Sequence, residues 1–124
     1  MREPEPLTGL RVVAAPAAID AAMLPTGATV LRIATDDVFV TGVSSLTIDD
    51  PFAIIEPEFT FVQWQLTTAE FADVVNHIEW ALPARGTLGQ GLIAGVPAKI
   101  VISDDHVMLI VSAGLAHELS ARLW

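Results

Sequence analysis

The chain of 124 residues contains no cysteine and no tyrosine, and it has only six lysines and arginines. The absence of cysteine excludes disulfides, thiolate catalysis and zinc sites built on sulfur, and a reducing cytoplasm is the simplest compartment for such a chain. Fifteen acidic residues give a formal net charge of -9. Because nucleic acid and anionic membrane surfaces both attract clustered lysine and arginine, the sequence predicts neither as a partner.

Long hydrophobic runs are also lacking. The longest apolar run, residues 107–111, has the length of a strand, whereas a membrane helix needs about 18 to 20 residues. A secretory leader at residues 12–18 is disfavoured, because Pro16 interrupts it and Glu3 and Glu5 precede it in place of basic residues. We therefore expect a soluble, cytoplasmic protein.

The composition is nevertheless apolar: 52% of the residues are hydrophobic and only 17% are charged. An average soluble domain of this size has a lower proportion of hydrophobic residues and a higher proportion of charged residues. Large exposed apolar patches usually mark contacts with other chains. The composition therefore predicts an oligomer or a subunit, with either larger protein subunits or further copies of the chain as partners.

The N-terminal 27 residues differ in pattern from the rest. They hold four of the eight prolines, at positions 4, 6, 16 and 25, and show no clear period. We predict an irregular N-terminal arm over residues 1–27, in which residues 10–15 could pair as an edge strand and residues 16–24 could form a short helical turn. Residues 28–124 are predicted to form a single α+β domain.

The domain opens with strand patterns. Two β-branched and apolar runs, residues 28–34 and 38–40, flank Asp36 and predict a hairpin. A short strand follows at residues 52–56 and is expected to end at Pro57. Residues 59–66 alternate polar and apolar side chains, which predicts a half-buried strand.

The strongest local signal is a capping box formed by Thr67 and Glu70. Apolar residues then recur at spacings of three, four and seven, which predicts a helix from Thr67 to about Leu82 that presses one face against a sheet. Pro83 and Gly86 are expected to end it. The apolar positions of this helix are Phe71, Val74, Val75, Ile78 and Leu82.

Residues 87–96 are predicted to form a strand that glycines loosen and Pro97 breaks. Residues 98–103 and 106–111 form the clearest hairpin. Ser112 can cap a last helix whose Leu115, Leu119 and Leu123 face inward. The whole pattern predicts an α+β fold, an antiparallel or mixed sheet with two helices packed on one face, in a βαββα-type module.

Motifs that could carry chemistry are weak. Glycines at positions 86, 89, 91 and 95 precede strand residues instead of a helix, so we interpret them as relieving crowding and not as a phosphate cradle. Asp104, Asp105 and His106 could ligate a metal, but neighbouring strand residues alternate faces, and a polar turn is the better interpretation. His77 and His117 are expected on the exposed sides of helices.

Aromatic residues supply the candidate binding positions. Phe61, Trp64, Trp80 and Trp124 are the residues that we predict to line a pocket or an interface. Glu56 and Glu58 lie near Trp64 in sequence, and the chain lacks a G-x-S-x-G elbow. A stand-alone enzyme would need a buried pair such as Glu56 with His77. We therefore predict no catalytic and no metal-binding residues.

Residues 59–123 resemble the C-terminal part of the small γ subunit of heterotetrameric sarcosine oxidase, a relative of the folate-binding glycine-cleavage T-protein family, and residues 28–42 resemble the strand pair that precedes it. The resemblance runs through FVQWQL at residues 61–66, AEFADVV at 69–75, GQGLIAGVP at 89–97 and VMLIV at 107–111. It implies a non-catalytic subunit beside larger chains that carry flavin and folate, with no cofactor bound by this chain alone.

Two further function classes stay open. A self-associating small-molecule binder would use an apolar pocket between the sheet and the predicted long helix, lined by Phe61, Trp64 and Trp80. A stand-alone enzyme is the weakest hypothesis. The accessory or assembly subunit is the preferred prediction, because low charge, high apolar content and the absence of a catalytic motif all suit it.

Overall fold

The computed structural model describes residues 2–124. Within them the chain forms seven β-strands, three α-helices and one 3-10 turn. The strands are ordered β2-β3-β1-β4-β7-β6-β5 in the sheet, and each pair with a recorded register is antiparallel. The elements are β1 (Glu5–Val13), α1 (Pro16–Asp20), β2 (Thr29–Ala34), β3 (Asp37–Thr41), β4 (Ile54–Leu66), α2 (Thr68–Val75), β5 (Leu88–Ile93), β6 (Val96–Ile102), β7 (Val107–Ser112), the 3-10 turn Ala113–Leu115 and α3 (Ala116–Leu123).

The predicted α+β module with two helices packed on one face is wrong. The fold is mainly an antiparallel sheet, and α2 and α3 have only eight residues each. The apolar periodicity after Thr67 predicts one long helix, but α2 ends at Val75 and the next element is strand β5. A short apolar pattern allows either helix or strand pairing, and here pairing with distant residues determined which of the two forms.

The chain divides into two compact units, Leu7–Phe59 and Thr60–Trp124, the second together with the residues before Leu7. In the Leu7–Phe59 unit the buried apolar cluster comes from β1, α1 and β3, and it consists of Val12, Ala14, Ile19, Val38 and Val40. In the Thr60–Trp124 unit a larger cluster joins β4, β5, β6 and β7 with the two longer helices. Its completely or almost completely buried members include Leu66, Val74, Ile93, Ile100, Leu109 and Leu119.

The segment predicted as an irregular arm contains regular structure. Strand β1 pairs with β3 from Gly9 opposite Thr41 to Val13 opposite Asp37, and α1 follows it. The prolines are placed where they cost little: Pro16 occupies the first turn of α1, where the missing N–H has no helical partner. A segment with scattered prolines thus still forms a strand and a helix.

The capping box is confirmed, but the helix that it begins is short. The Glu70 amide donates to Thr67 Oγ1 at 3.1 Å, and the Thr67 amide donates to Glu70 Oε1 at 2.9 Å. Helix α2 ends at Val75, seven residues before the predicted end. The reason is that Ile78 pairs with Ile93 of β5 in an isolated bridge, which draws the chain onto the edge of the sheet.

Prolines 57 and 97 were expected to break strands, and both lie within strands. Strand β7 pairs with β4 only over residues 61–66, so it requires no amide from Pro57. Strand β7 likewise pairs with β6 only from Lys99 onward, beyond Pro97. A proline is tolerated in a strand where no neighbour needs its N–H.

A two-residue hairpin turn joins β5 and β6, where the sequence predicted one continuous strand. Ala94 and Gly95 both have positive φ, 49° and 80°, between the paired residues Ile93 and Val96. Positive φ at both central positions is the type I′ geometry, which suits the twist of a hairpin. Glycine adopts it freely, whereas alanine is strained there.

We expect Ala94→Asn to raise the free energy of unfolding by about 1 kcal/mol, because asparagine tolerates the left-handed region that strains alanine. Urea denaturation followed by tryptophan fluorescence measures the change. Gly95→Ala is the matched control, and it should destabilise the protein because φ is also positive there. Equal or lower stability of Ala94→Asn would contradict a strained turn.

Candidate functional site

Two of the four predicted aromatic site residues, Trp64 and Trp124, lie together in the Thr60–Trp124 unit. Trp64 is buried, with 2% of its surface exposed, and its ring centroid lies 5.6 Å from that of Trp124 at an interplanar angle of 58°. Trp64 Nε1 donates to the Arg2 carbonyl oxygen at 3.3 Å. Trp64 is thus a core residue, and it offers no open face to a ligand.

Arg2 fastens the beginning of the chain to this aromatic pair. Its amide donates to Ser120 Oγ at 3.1 Å, and Ser120 Oγ donates to the Arg2 carbonyl oxygen at the same distance. Its guanidinium lies 5.2 Å from the Trp124 ring and forms an ion pair with Glu70. The pKa of Glu70 is held below its ordinary value, first by the hydrogen bond from the Thr67 amide and also by the charge of Arg2. All of these contacts stabilise the folded chain.

Trp80 lies apart from that pair: it precedes strand β5 in the chain, and its ring lies over that strand. An added Cβ at Gly91 would lie 2.6 to 2.9 Å from three atoms of the Trp80 pyrrole ring. Such similar distances to adjacent ring atoms mean that one face of the indole covers Gly91. Trp80 Nε1 donates to the Leu92 carbonyl oxygen at 2.8 Å, which fixes the ring on the strand.

The glycines of this strand therefore permit close approach. Pro83 lies over Gly89, where an added Cβ would be 2.7 Å from its Cγ. A cleft of about 520 Å³ opens beside Trp80. Its lining includes neither Phe61 nor Trp64, so the three predicted pocket residues do not line one site. The lining residues are Asn76, His77, Glu79, Trp80, Leu92, Ala94 and Gly95.

Phe61 occupies a third position. Its ring lies 5.5 Å from the ammonium group of Lys99, the only lysine of the chain. Strand β7 separates their two strands: Phe61 pairs with Ser112, and Lys99 pairs with Ile110. This is a cation–π contact on the sheet surface.

The carboxylates and histidines with possible catalytic roles are dispersed. Glu56 is exposed on β4 in the Leu7–Phe59 unit, and His77 belongs to the other unit. Glu58 lies 3.7 Å from the Arg11 guanidinium. Asp37 accepts two hydrogen bonds from Arg11, at 2.5 and 2.7 Å, and this raises the pKa of Arg11 above its ordinary value.

The Asp104–His106 stretch forms a turn. The Ser103 amide donates to the His106 carbonyl oxygen at 2.9 Å, and Asp105 Oδ1 lies 2.7 Å from His106 Nδ1. That hydrogen bond is the main cause of a lowered pKa of Asp105, and Asp104 pairs with Arg85 at 2.8 Å. Over residues 2–124, no group of three or more histidine and acidic side chains is arranged to hold a metal ion.

Four of the exposed large apolar side chains, including two phenylalanines, lie close together in sequence within residues 52–59, which we call the 52–59 segment. Phe52 is 87% exposed, Phe59 71% and Ile54 54%. The sequence predicts a short strand at residues 52–56 that ends at Pro57, and its pattern does not identify these side chains as a surface. Four large apolar residues within eight positions, interrupted by Pro57, were the available signal.

All five arginines are engaged in ion pairs inside the chain, which leaves the surface predominantly acidic. The chain carries fifteen acidic residues against six basic ones, so most acids have no arginine partner. The arginine pairs are Arg2 with Glu70, Arg11 with Asp37 and Glu58, Arg32 with Asp20, Arg85 with Asp104, and Arg122 with Glu118.

None of the helices found over residues 2–124 has the length and apolar character needed to cross a membrane. Comparison of the chain with protein-family models, with curated proteins and with solved structures gives no match. The resemblance to the sarcosine oxidase γ subunit therefore stays a prediction.

Proposed function

We propose that this chain is a non-catalytic accessory or assembly subunit, which binds a larger protein chain through the 52–59 segment. The observation that carries the proposal is the exposure of Phe52, Ile54 and Phe59 within eight consecutive residues. Burying one such side chain contributes about 1.5 to 3 kcal/mol. Aromatic side chains that enter a partner's pocket often dominate the affinity of an interface.

Charge favours a different chain over a second copy as the occupant of this surface. Each copy carries a net charge of -9, so two acidic copies would repel each other. Glu56 is exposed within the segment, and Asp50 precedes it. The amides of Ala15 and Phe52 donate to Asp50 and lower its pKa, which keeps that carboxylate ionised. A suitable partner presents an apolar groove with lysine or arginine at its rim.

The sequence resemblance extends this proposal to the kind of assembly. A sarcosine oxidase-like complex would carry its flavin and folate in the larger chains, and amine oxidation would take place there. This chain would then bind no cofactor alone. Its contribution would be the stability and assembly of the complex.

Native mass spectrometry of the tagged protein, purified gently from its own host, tests the proposal. We expect a stoichiometric complex with a larger chain that dissociates as salt is raised, and flavin absorbance if the assembly is of the sarcosine oxidase type. The double substitution Phe52→Ser with Phe59→Ser should weaken that complex by about 30-fold or more, since two exposed aromatic anchors are lost.

Met23→Ser is the matched control, because Met23 is 93% exposed in the same unit and lies outside the 52–59 segment. It should leave the complex intact. Recovery of a homo-oligomer alone would contradict a hetero-subunit. An identical complex with the double variant would show that a different surface binds the partner.

A further inference from the structure

The Leu7–Phe59 unit contains a cavity of about 290 Å³ that the function proposed above does not use. Strands β1 and β3 contribute Val12, Val38 and Val40, whose surfaces are at most 2% exposed. The chain around α1 and the chain after β3 line the cavity on other sides. The complete lining is Val12, Ile19, Asp20, Ala22, Leu24, Val30, Arg32, Val38, Val40, Leu46 and Ile48.

The cavity is open to solvent on one side, because Val30 in its lining is 40% exposed and the Asp20 side chain is 65% exposed. An apolar cavity of about 150 Å³ stays dry and binds benzene. By that measure, this cavity accommodates a molecule of about twelve non-hydrogen atoms.

The lining is apolar except at one place, where Asp20 and Arg32 meet at 2.6 Å. Arg32 also donates to the carbonyl oxygens of Ala34 and Thr35. A guanidinium carries five N–H donors. Among the residues that the structure describes, these three hydrogen bonds leave two N–H groups of Arg32 to donate to a ligand.

The charge of Arg32 is already balanced by Asp20. A carboxylate ligand would therefore add a second negative charge beside Asp20, at a partly exposed ion pair of a chain whose net charge is -9. A neutral oxygen acceptor avoids that cost and still satisfies the donor. The chemistry at this end of the cavity thus selects a neutral molecule.

We propose that this cavity is a binding site for a small apolar molecule with one neutral oxygen acceptor, of the medium-chain ketone, aldehyde or alcohol class. The hydrocarbon part packs against the valine and leucine lining. The oxygen accepts a hydrogen bond from Arg32 at the mouth. No residue of the 52–59 segment lines the cavity, so failure of one proposal leaves the other standing.

Titration of the ¹⁵N-labelled full chain with 2-decanone, followed by amide chemical shifts, tests this site. We expect saturable shifts in β1 and β3. Ala22→Phe fills the cavity from its lining and should weaken binding by about tenfold or more. Ala21→Phe is the matched control, since Ala21 is the neighbouring exposed residue outside the lining. It should change the affinity by less than about twofold.

Decanoate serves as the charged comparison ligand and should bind more weakly than 2-decanone. Equal or tighter binding of decanoate would overturn the neutral-acceptor assignment. Absence of saturable shifts in the wild-type protein, or unchanged binding by a folded Ala22→Phe, would overturn the site itself. Should Ala22→Phe fail to fold, Leu46→Trp fills the cavity from the opposite segment, and the same two outcomes apply.

Discussion

Gly9→Ala is expected to destabilise the Leu7–Phe59 unit by about 3 kcal/mol or more. Gly9 pairs with Thr41 across β1 and β3. An added Cβ would overlap the Val40 carbonyl oxygen and would lie 2.8 Å from the Thr41 Cα. All these atoms belong to the backbone, so the clash can be relieved only by moving β1 away from β3 and weakening their pairing.

Urea denaturation, with hydrogen exchange of the β3 amides, measures this loss. Gly114→Ala is the matched control, because an added Cβ there meets nothing within 4 Å. Its free energy of unfolding should change by less than about 0.5 kcal/mol. A Gly9→Ala protein as stable as the wild type would mean that the two strands are not in this register.

Trp64→Ala is expected to destabilise the Thr60–Trp124 unit by about 3 to 5 kcal/mol. Trp64 is 2% exposed, and its removal leaves a large cavity between β4 and the Trp124 ring. It also leaves the Arg2 carbonyl oxygen without the indole donor. The same oxygen still accepts from Ser120, so the loss comes mainly from packing.

Thermal and urea denaturation of Trp64→Ala and Trp124→Ala measure how much each ring contributes to the free energy of unfolding. Trp124 is only partly buried, so its replacement should cost about 1 to 2 kcal/mol. A loss below about 1 kcal/mol for Trp64→Ala would contradict its position in the core and revive its role as a pocket residue.

Local signals in the sequence predicted the parts of the fold that depend on neighbouring residues. Thr67 and Glu70 lie three positions apart, and their reciprocal hydrogen bonds form as expected. The hairpin of β6 and β7 was also predicted, because two apolar runs flank a polar turn. The last helix forms with Leu119 completely buried, although a 3-10 turn precedes it and Ser112 makes no side-chain cap.

Contacts between distant residues decided the rest. The apolar spacing after Val75 suits a helix, yet Ile78 pairs with Ile93, fifteen residues later, and the chain follows the sheet edge. The prolines at 57 and 97 lie in strands where the pairing with β7 does not reach them, so β7 requires neither amide. The extent of a neighbouring strand cannot be deduced from the proline itself.

Site prediction depended most on tertiary structure. The sequence alone determined that cysteine chemistry is absent and that the chain is acidic and apolar. It also predicted that aromatic residues line a pocket or an interface. Burial then assigned Trp64 to the core, Trp80 to a strand surface and Phe52 to solvent. A side chain's type sets what it can bind, but only the packing around it decides whether that binding energy is used within the chain or remains available to a partner.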